Sequence, residues 1–306
     1  MLHFGSSAFM VLTQAGKHSP KVPLYTFFVY HQFTAFAVSV FICVSGITLC
    51  LSNANKPFNY FKFIFHRMNI LVPYFVWSII YLGISGLIVE KNDAVVWLIS
   101  GKQLILSLLS GKTYYHLYYI PLIFSLYLLF PLFKKLASIC RSPLWLIIFL
   151  GIHEGIQYAA VTYMPHYILT YFQLFYFLFM FAIGCWIGEH YDSVKMLISK
   201  YGNLVIIPFL CVLAYKIIAF NAAISKISFT DYPQTVTLDN RIYSLCVVFL
   251  IIYITPLLAK NKYIDLILDR IGKNSFGIYL IHPLFIYWLQ DIFKTSGLWN
   301  SYNSSM

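Results

Sequence analysis

Long apolar runs separated by short polar clusters make up almost the whole chain. Runs of about 18–20 apolar residues are long enough to cross the hydrocarbon core of a bilayer as helices. Such runs fall at residues 27–51, 69–89, 114–133, 143–163, 168–188, 203–220, 242–259 and 275–293. Residues 1–14 are apolar but too short to span. They lack the basic flank of a signal peptide and read as the second half of a first helix. Residues 94–109 are interrupted at Gly101-Lys102 and read as a re-entrant or interfacial helix. The polar stretches 52–67, 134–142, 189–202, 221–240 and 260–274 read as loops. The pattern predicts an all-α polytopic transmembrane helical bundle, about nine spans with the first one partial, forming a single domain over residues 1–306. A β-barrel would show weak alternating segments of about ten residues instead.

Composition agrees with this class. The chain is 60% hydrophobic and 10% charged, with a mean hydropathy of +0.75. A net charge of +11 raises the question of nucleic acid. The basic residues lie in short loops between apolar runs, which points to membrane topology and anionic lipid and away from nucleic acid. The loops 52–67, 134–142, 189–202 and 260–273 hold 12 of the 21 lysines and arginines, so this set is assigned to the cytoplasm. The 221–240 loop and the C-terminal tail then face outward. The six cysteines show no C-x-x-C spacing and read as small packing residues.

Few residues inside the runs can carry chemistry. Glu154 is the one acid in mid-span, with His153 beside it, and reads as functional or as a partnered packing residue. His3 lies about ten helical residues from the end of its run, roughly 15 Å and near the midplane. There a neutral imidazole could act as a general base, or could be a core histidine bonded to a neighbouring helix. His116 stands among Tyr114, Tyr115, Tyr118 and Tyr119 at the mouth of the fourth run, as an acceptor-side group or an interfacial anchor. His282, after Tyr279 and before Pro283, sits where proline opens the backbone. Arg67, at the inner edge of its run, could bind a phosphate or serve as a topology charge. Ser45-Gly46 reads as a helix-packing pair before a nucleophile. No P-loop, dinucleotide, zinc-protease or G-x-S-x-G motif is present, and no metal site is expected.

Five stretches carry a resemblance: VFICVSGITL at 40–49, Arg67–Trp77 with its P-Y-x-x-W, HLYYIPLIFSLYLLFP at 116–131, YFLFMFAIGCWIG at 176–188, and FGIYLIHPLFIY at 276–287. Together, in this order, the chain resembles the acyltransferase family 3 of bacterial membrane proteins. The wording around 113–131 is closest to the branch of poly-N-acetylglucosamine export and related surface-polysaccharide acyltransferases. The resemblance implies a bundle of ten helices or so. It implies transfer of an acyl group, often acetyl, from cytoplasmic acyl-CoA to a hydroxyl of an envelope glycan. Acyl-CoA would be a cosubstrate, with no bound cofactor. His3 matches the family's essential histidine, and Arg67 one of its basic residues before the third span. Ile70 stands where a second arginine is often found. The family's arginine before the histidine and its last helix fall outside 1–306, so the chain reads as trimmed at both ends. His116, Tyr115, Tyr119, Glu154, Tyr279 and His282 are left as acceptor-side or structural residues. The competing readings are an exporter or flippase for a polysaccharide or lipid-linked sugar, and a non-catalytic partner of a glycan synthase.

Overall fold

The computed structural model of the chain describes residues 36–54, 58–88, 101–163, 173–223 and 238–295. Regular structure among them is entirely helical. In order these are α1 (Ala37–Ser52), α2 (Tyr60–Arg67), a 3-10 turn (Met68–Ile70), α3 (Leu71–Ile88), α4 (Gly101–Ser110), α5 (Tyr119–Ile139) and α6 (Leu144–Tyr163). Then come α7 (Gln173–Glu189), α8 (Tyr191–Tyr201), α9 (Asn203–Ala223), α10 (Leu238–Leu258) and α11 (Lys262–Thr295). The described residues fall into two compact units, one within Ala35–Thr255 and one from Pro256 onward.

Most of these helices are apolar all round, as expected where the surroundings are as apolar as the core. Phe61, Phe65, Val72, Val76 and Ile79 point outward on α2 and α3, and Ile147, Ile148, Ile152 and Ile156 do so on α6. Meanwhile Ser39, Ser78, His116, His153, Gln157, Lys216, Arg241 and Ser244 are buried. An apolar exterior around a partly polar interior is the arrangement of a membrane protein. Among the described residues three helices are long and apolar enough to cross a bilayer: Tyr60–Ile84, Tyr119–Ile139 and Asn240–Leu258. Leu174–Glu189 with Tyr191–Tyr201, bent by 89°, makes a fourth if counted as one span. Ala37–Ser52, Leu144–Ala159 and Asn203–Ile218 are shorter apolar helices. The helical membrane class stands, while this count does not reach nine.

The core is built on α1 against α7, with α5 packed on both. Glycines let the two backbones touch. A methyl group on Gly184 would collide with the Cys43 carbonyl oxygen. One on Gly46 would lie 2.8 Å from Phe181 O, and one on Gly188 2.7 Å from Ile47 O. Gly184 and Gly188 have the spacing that allows close helix approach in lipid. Gly46 thus packs as its sequence context implied. The free cysteines Cys43, Cys50 and Cys185 fill the same seam, all buried.

Three stretches expected as loops are helical. Residues 60–67 form α2 and run through the 3-10 turn into α3, one rod of about 29 residues or 43 Å. Asn59 caps its start, its side chain accepting from Lys62 N at 3.0 Å. Residues 191–201 form α8, and 262–274 are the first part of the 34-residue α11. Charged residues interrupt an apolar run without interrupting the backbone hydrogen bonds of an amphipathic helix. The fourth apolar run differs the other way. Residues 111–118 are turns, and α5 begins only at Tyr119. Pro121 then sits in the first helical turn, where its missing N–H costs nothing. Pro131 lies inside the helix. The described part of the stretch 94–109 is the ten-residue helix α4, about 15 Å long; residues 94–100 lie outside the described residues.

The seam yields a paired prediction. Gly184→Leu forces α1 and α7 apart and lowers the thermal midpoint of the detergent-purified chain, a cost of about 1–3 kcal/mol. Gly83→Ala, where an added methyl meets nothing within 4 Å, leaves the midpoint unchanged or raises it.

Candidate functional site

Three polar groups lie inside the first unit. The first is the turn before α5. Gly111 takes φ +68, and a side chain there would also strike the Tyr118 backbone, so only glycine lets the chain fold back. The turn is tied to α3 by Thr113 Oγ1, which donates to Ser78 Oγ at 3.2 Å. The Tyr74 hydroxyl donates to the Leu108 carbonyl. His116 sits edge-on to Tyr81 at 5.1 Å and to Tyr114 at 5.6 Å, with Tyr115 at 5.4 Å. Tyr81 and Tyr114 stack at 4.4 Å. His116 is only 4% exposed. His116 is thus held in an aromatic box of Tyr81, Tyr114 and Tyr115.

The second group surrounds Arg67. Its guanidinium carbon lies 5.5 Å from the Phe63 ring centroid and 5.4 Å from that of Tyr127. Its Nε is buried without a hydrogen-bond partner. Among the described residues no carboxylate pairs with it. Phe63 packs on Phe58 at 5.4 Å, and the Lys134 ammonium stands 5.9 Å over Phe58 while donating to Asn53 O at 2.7 Å. Lys134, Phe58, Phe63, Arg67 and Tyr127 therefore form one line of two cations and three rings, and all are half-buried. Beyond Tyr127, the Ser45 side chain faces the hydroxyls of Tyr127 and Tyr119. Ser45 itself donates to Phe41 O at 2.8 Å, so it offers the tyrosines acceptor capacity. Arg67 lies on the helix Tyr60–Ile84, beside Tyr127, which stands eight positions beyond the first residue of α5, about 12 Å along it.

The third group joins α6 to α10. Arg241, fully buried, pairs with Glu154 and donates to Gln157. Lys216 on α9 donates to Asn240 and lies 5.7 Å from the Tyr243 ring. His153 stacks on Phe175 at 4.6 Å and its Nε2 donates to Phe175 O at 2.7 Å. Its Nδ1 is 3.8 Å from Glu154. Glu154 thus has a cationic partner across the helices. Its partner was missed because α10 begins at Leu238, about one turn earlier than the apolar run, and places Asn240 and Arg241 inside the helix. A signal existed: a mid-span carboxylate needs a cation, and Lys216 and Arg241 were among the basic residues in or bordering apolar runs.

In the second unit, His282 Nδ1 lies 2.6 Å from Tyr279 O. That carbonyl is the one Pro283 cannot serve, lacking an N–H. The imidazole N–H supplies the missing donor, and Tyr279 and His282 act together as a repair of the helix. His3 lies outside the described residues, as does the loop 224–237. Among the described residues no group of three His, Cys, Asp or Glu could hold a metal ion.

The family model described as an acyltransferase domain matches residues 2–306. The chain is also 23% identical over 269 residues to proteins from several strains of Staphylococcus aureus named "Probable poly-beta-1,6-N-acetyl-D-glucosamine export protein". The alignment covers 85% of this chain and 71% of each of those proteins. No solved structure matches.

Two outcomes follow from these contacts. Arg241→Leu strands the Glu154 carboxylate and lowers stability by about 3–5 kcal/mol, and adding Glu154→Leu recovers most of it. Both are read from thermal midpoints in detergent. His282→Phe removes the imidazole's hydrogen bond to the Tyr279 carbonyl, costing about 1–3 kcal/mol. Pro283→Ala in the same chain restores the midpoint by returning the backbone N–H.

Proposed function

The chain belongs to the acyltransferase 3 family, and on that premise we propose that it moves an acyl group, acetyl or similar, from cytoplasmic acyl-CoA to a hydroxyl of an extracytoplasmic polysaccharide or other cell-envelope glycan. The observation that carries this reading is Arg67. A guanidinium held between Phe63 and Tyr127, with no carboxylate partner among the described residues, keeps its charge and fork of donors for an arriving anion. The phosphates of acyl-CoA are such anions. Lys134 and Phe58 extend the same line of cations and rings, and suit a ligand that carries phosphates and a planar base.

In the reaction the acceptor hydroxyl attacks the thioester carbonyl. The new ester bond forms as the carbon–sulfur bond breaks. The acceptor proton leaves through a base, and CoA departs as its thiol. His3 is proposed as that base. Arg67 would anchor the donor, and the tyrosine and serine hydroxyls at Tyr119, Tyr127 and Ser45 would line the space next to it. His116, Tyr115, Glu154, Tyr279 and His282 take supporting places in this scheme, because each is engaged in packing or in repair of the backbone. The short basic loops would face the cytoplasm and the C-terminal tail the outside of a multi-pass cell-membrane protein.

A second reading, export of a polysaccharide, is favoured by the name carried by the staphylococcal relatives. A glycan synthase or export component would then be the partner.

The test uses membranes carrying the full-length gene product, labelled acyl-CoA and mass spectrometry of envelope glycans. Arg67→Ala raises KM for acyl-CoA at least about tenfold, equal to 1.4 kcal/mol of lost binding. Arg67→Lys recovers part of it, and His3→Ala abolishes turnover. Wild-type glycan acylation in His3→Ala sinks the base assignment. Deletion separates the readings: glycan present outside but without its esters supports the enzyme, and glycan missing outside supports export.

A further inference from the structure

Helix α8 leaves the end of α7 at 89°. A helix perpendicular to an apolar membrane helix, at its end, runs in the plane of the bilayer. The corner is fastened. His190, between the two helices, stacks on Trp186 at 4.8 Å, and its Nδ1 donates to Trp186 O at 3.0 Å. Trp186 Nε1 in turn donates to Cys140 O at 2.8 Å, which brings the end of α5 and Arg141 to the same corner.

The sides of α8 differ in chemistry. At about 100° per residue, Tyr191, Val194 and Ile198 fall in one narrow arc. Val194 and Ile198 are buried in the core, and Tyr191 packs against it. The arc on one flank carries Met196, Leu197 and Tyr201, which are 67%, 60% and 46% exposed. Lys200 belongs to the same flank, its ammonium 5.1 Å from the Tyr201 ring. The other flank is polar, with Asp192, Lys195 and Ser199, all exposed. Apolar exposed side chains beside lysines describe a helix half-sunk in the headgroup region, with lysine stems along the lipid and ammonium groups at phosphate depth. Arg141 and Trp145, both exposed, continue this chemistry from the start of α6. Tryptophan and basic residues mark the level of the headgroups.

We propose that α8, with Arg141 and Trp145, forms a seat for the headgroups of anionic phospholipid. Lys195, Lys200 and Arg141 meet the phosphates, while Leu197, Met196 and Tyr201 enter the acyl boundary. Charge complementarity selects the occupant: three cations face outward here against Asp192 and Glu189. The seat also holds α8 level, and with it the corner that Trp186 and His190 maintain. The proposal stands apart from acyl transfer, since it involves neither donor nor acceptor.

The test places the full chain in nanodiscs of equal phosphatidylglycerol and phosphatidylcholine, without acyl-CoA or glycan. Lipids retained on release are counted by native mass spectrometry. Phosphatidylglycerol is expected in several-fold excess over phosphatidylcholine. Arg141→Gln with Lys195→Gln and Lys200→Gln brings the ratio to near one. Arg141→Lys with Lys195→Arg and Lys200→Arg keeps the excess, which separates lost charge from a misfolded corner. Equal retention by the native chain, or an excess that survives the glutamine variant, overturns the proposal. Displacement of the phosphatidylglycerol by added CoA overturns it too, and assigns the surface to a nucleotide.

Discussion

Backbone contact between α1 and α7 is the constraint on which the first unit depends. Two apolar helices in lipid gain little from burying apolar surface, since the surroundings are equally apolar. What holds them is close packing, and close packing here requires that Gly46, Gly184 and Gly188 carry no side chains. Helix α5 then packs against this pair through Phe130 and Phe133, with Phe133 edge-on to Phe181 at 5.7 Å. Helix α2 is laid on α5 by Phe63 against Phe130 at 5.3 Å. Arg67 reaches its place at the end of that sequence of contacts. The position of a charged group is thus set by glycines on two other helices.

The same absence of water governs the polar groups. Several of those inside the unit meet an answer from the protein. Arg241 answers Glu154, Asn240 answers Lys216, and the Phe175 carbonyl answers His153. In α11 a histidine supplies the donor that a proline removes. Arg67 differs from these. Its charge is met by rings and by no carboxylate among the described residues, which is why it stands out as a binding group and Arg241 does not.

Hydropathy made the class legible and much of the helix plan with it. The run at 143–163 and the helix Leu144–Tyr163 coincide almost residue for residue. It failed where charge was read as a break. Lys62, His66 and Arg67 lie in helix α2, Lys195 and Lys200 in α8, and Asp265, Asp269 and Arg270 in α11. Hydropathy reports which solvent a side chain prefers, and says little about whether the backbone stays helical. It failed oppositely at Tyr114–Tyr118, where aromatic side chains made a turn look like a span. The family resemblance named Arg67 and His3, but the ring contact that Arg67 makes with Tyr127 on another helix is visible only in the structure. Arg241 escaped notice because it borders a polar stretch, and its pairing with Glu154 joins residues 87 positions apart.

One rod runs from Tyr60 to Ile88, and it carries both Arg67 and Tyr81. The 3-10 turn at Met68–Ile70 directly follows the arginine, winding tighter than the helices on either side. Arg67 meets Tyr127 near the middle of α5, and Tyr81 stacks in the box around His116 before α5 begins. These two places are mounted on one axle. The spacing of the guanidinium and the Tyr81 ring along that axle, about 21 Å, is therefore set by the helical rise itself.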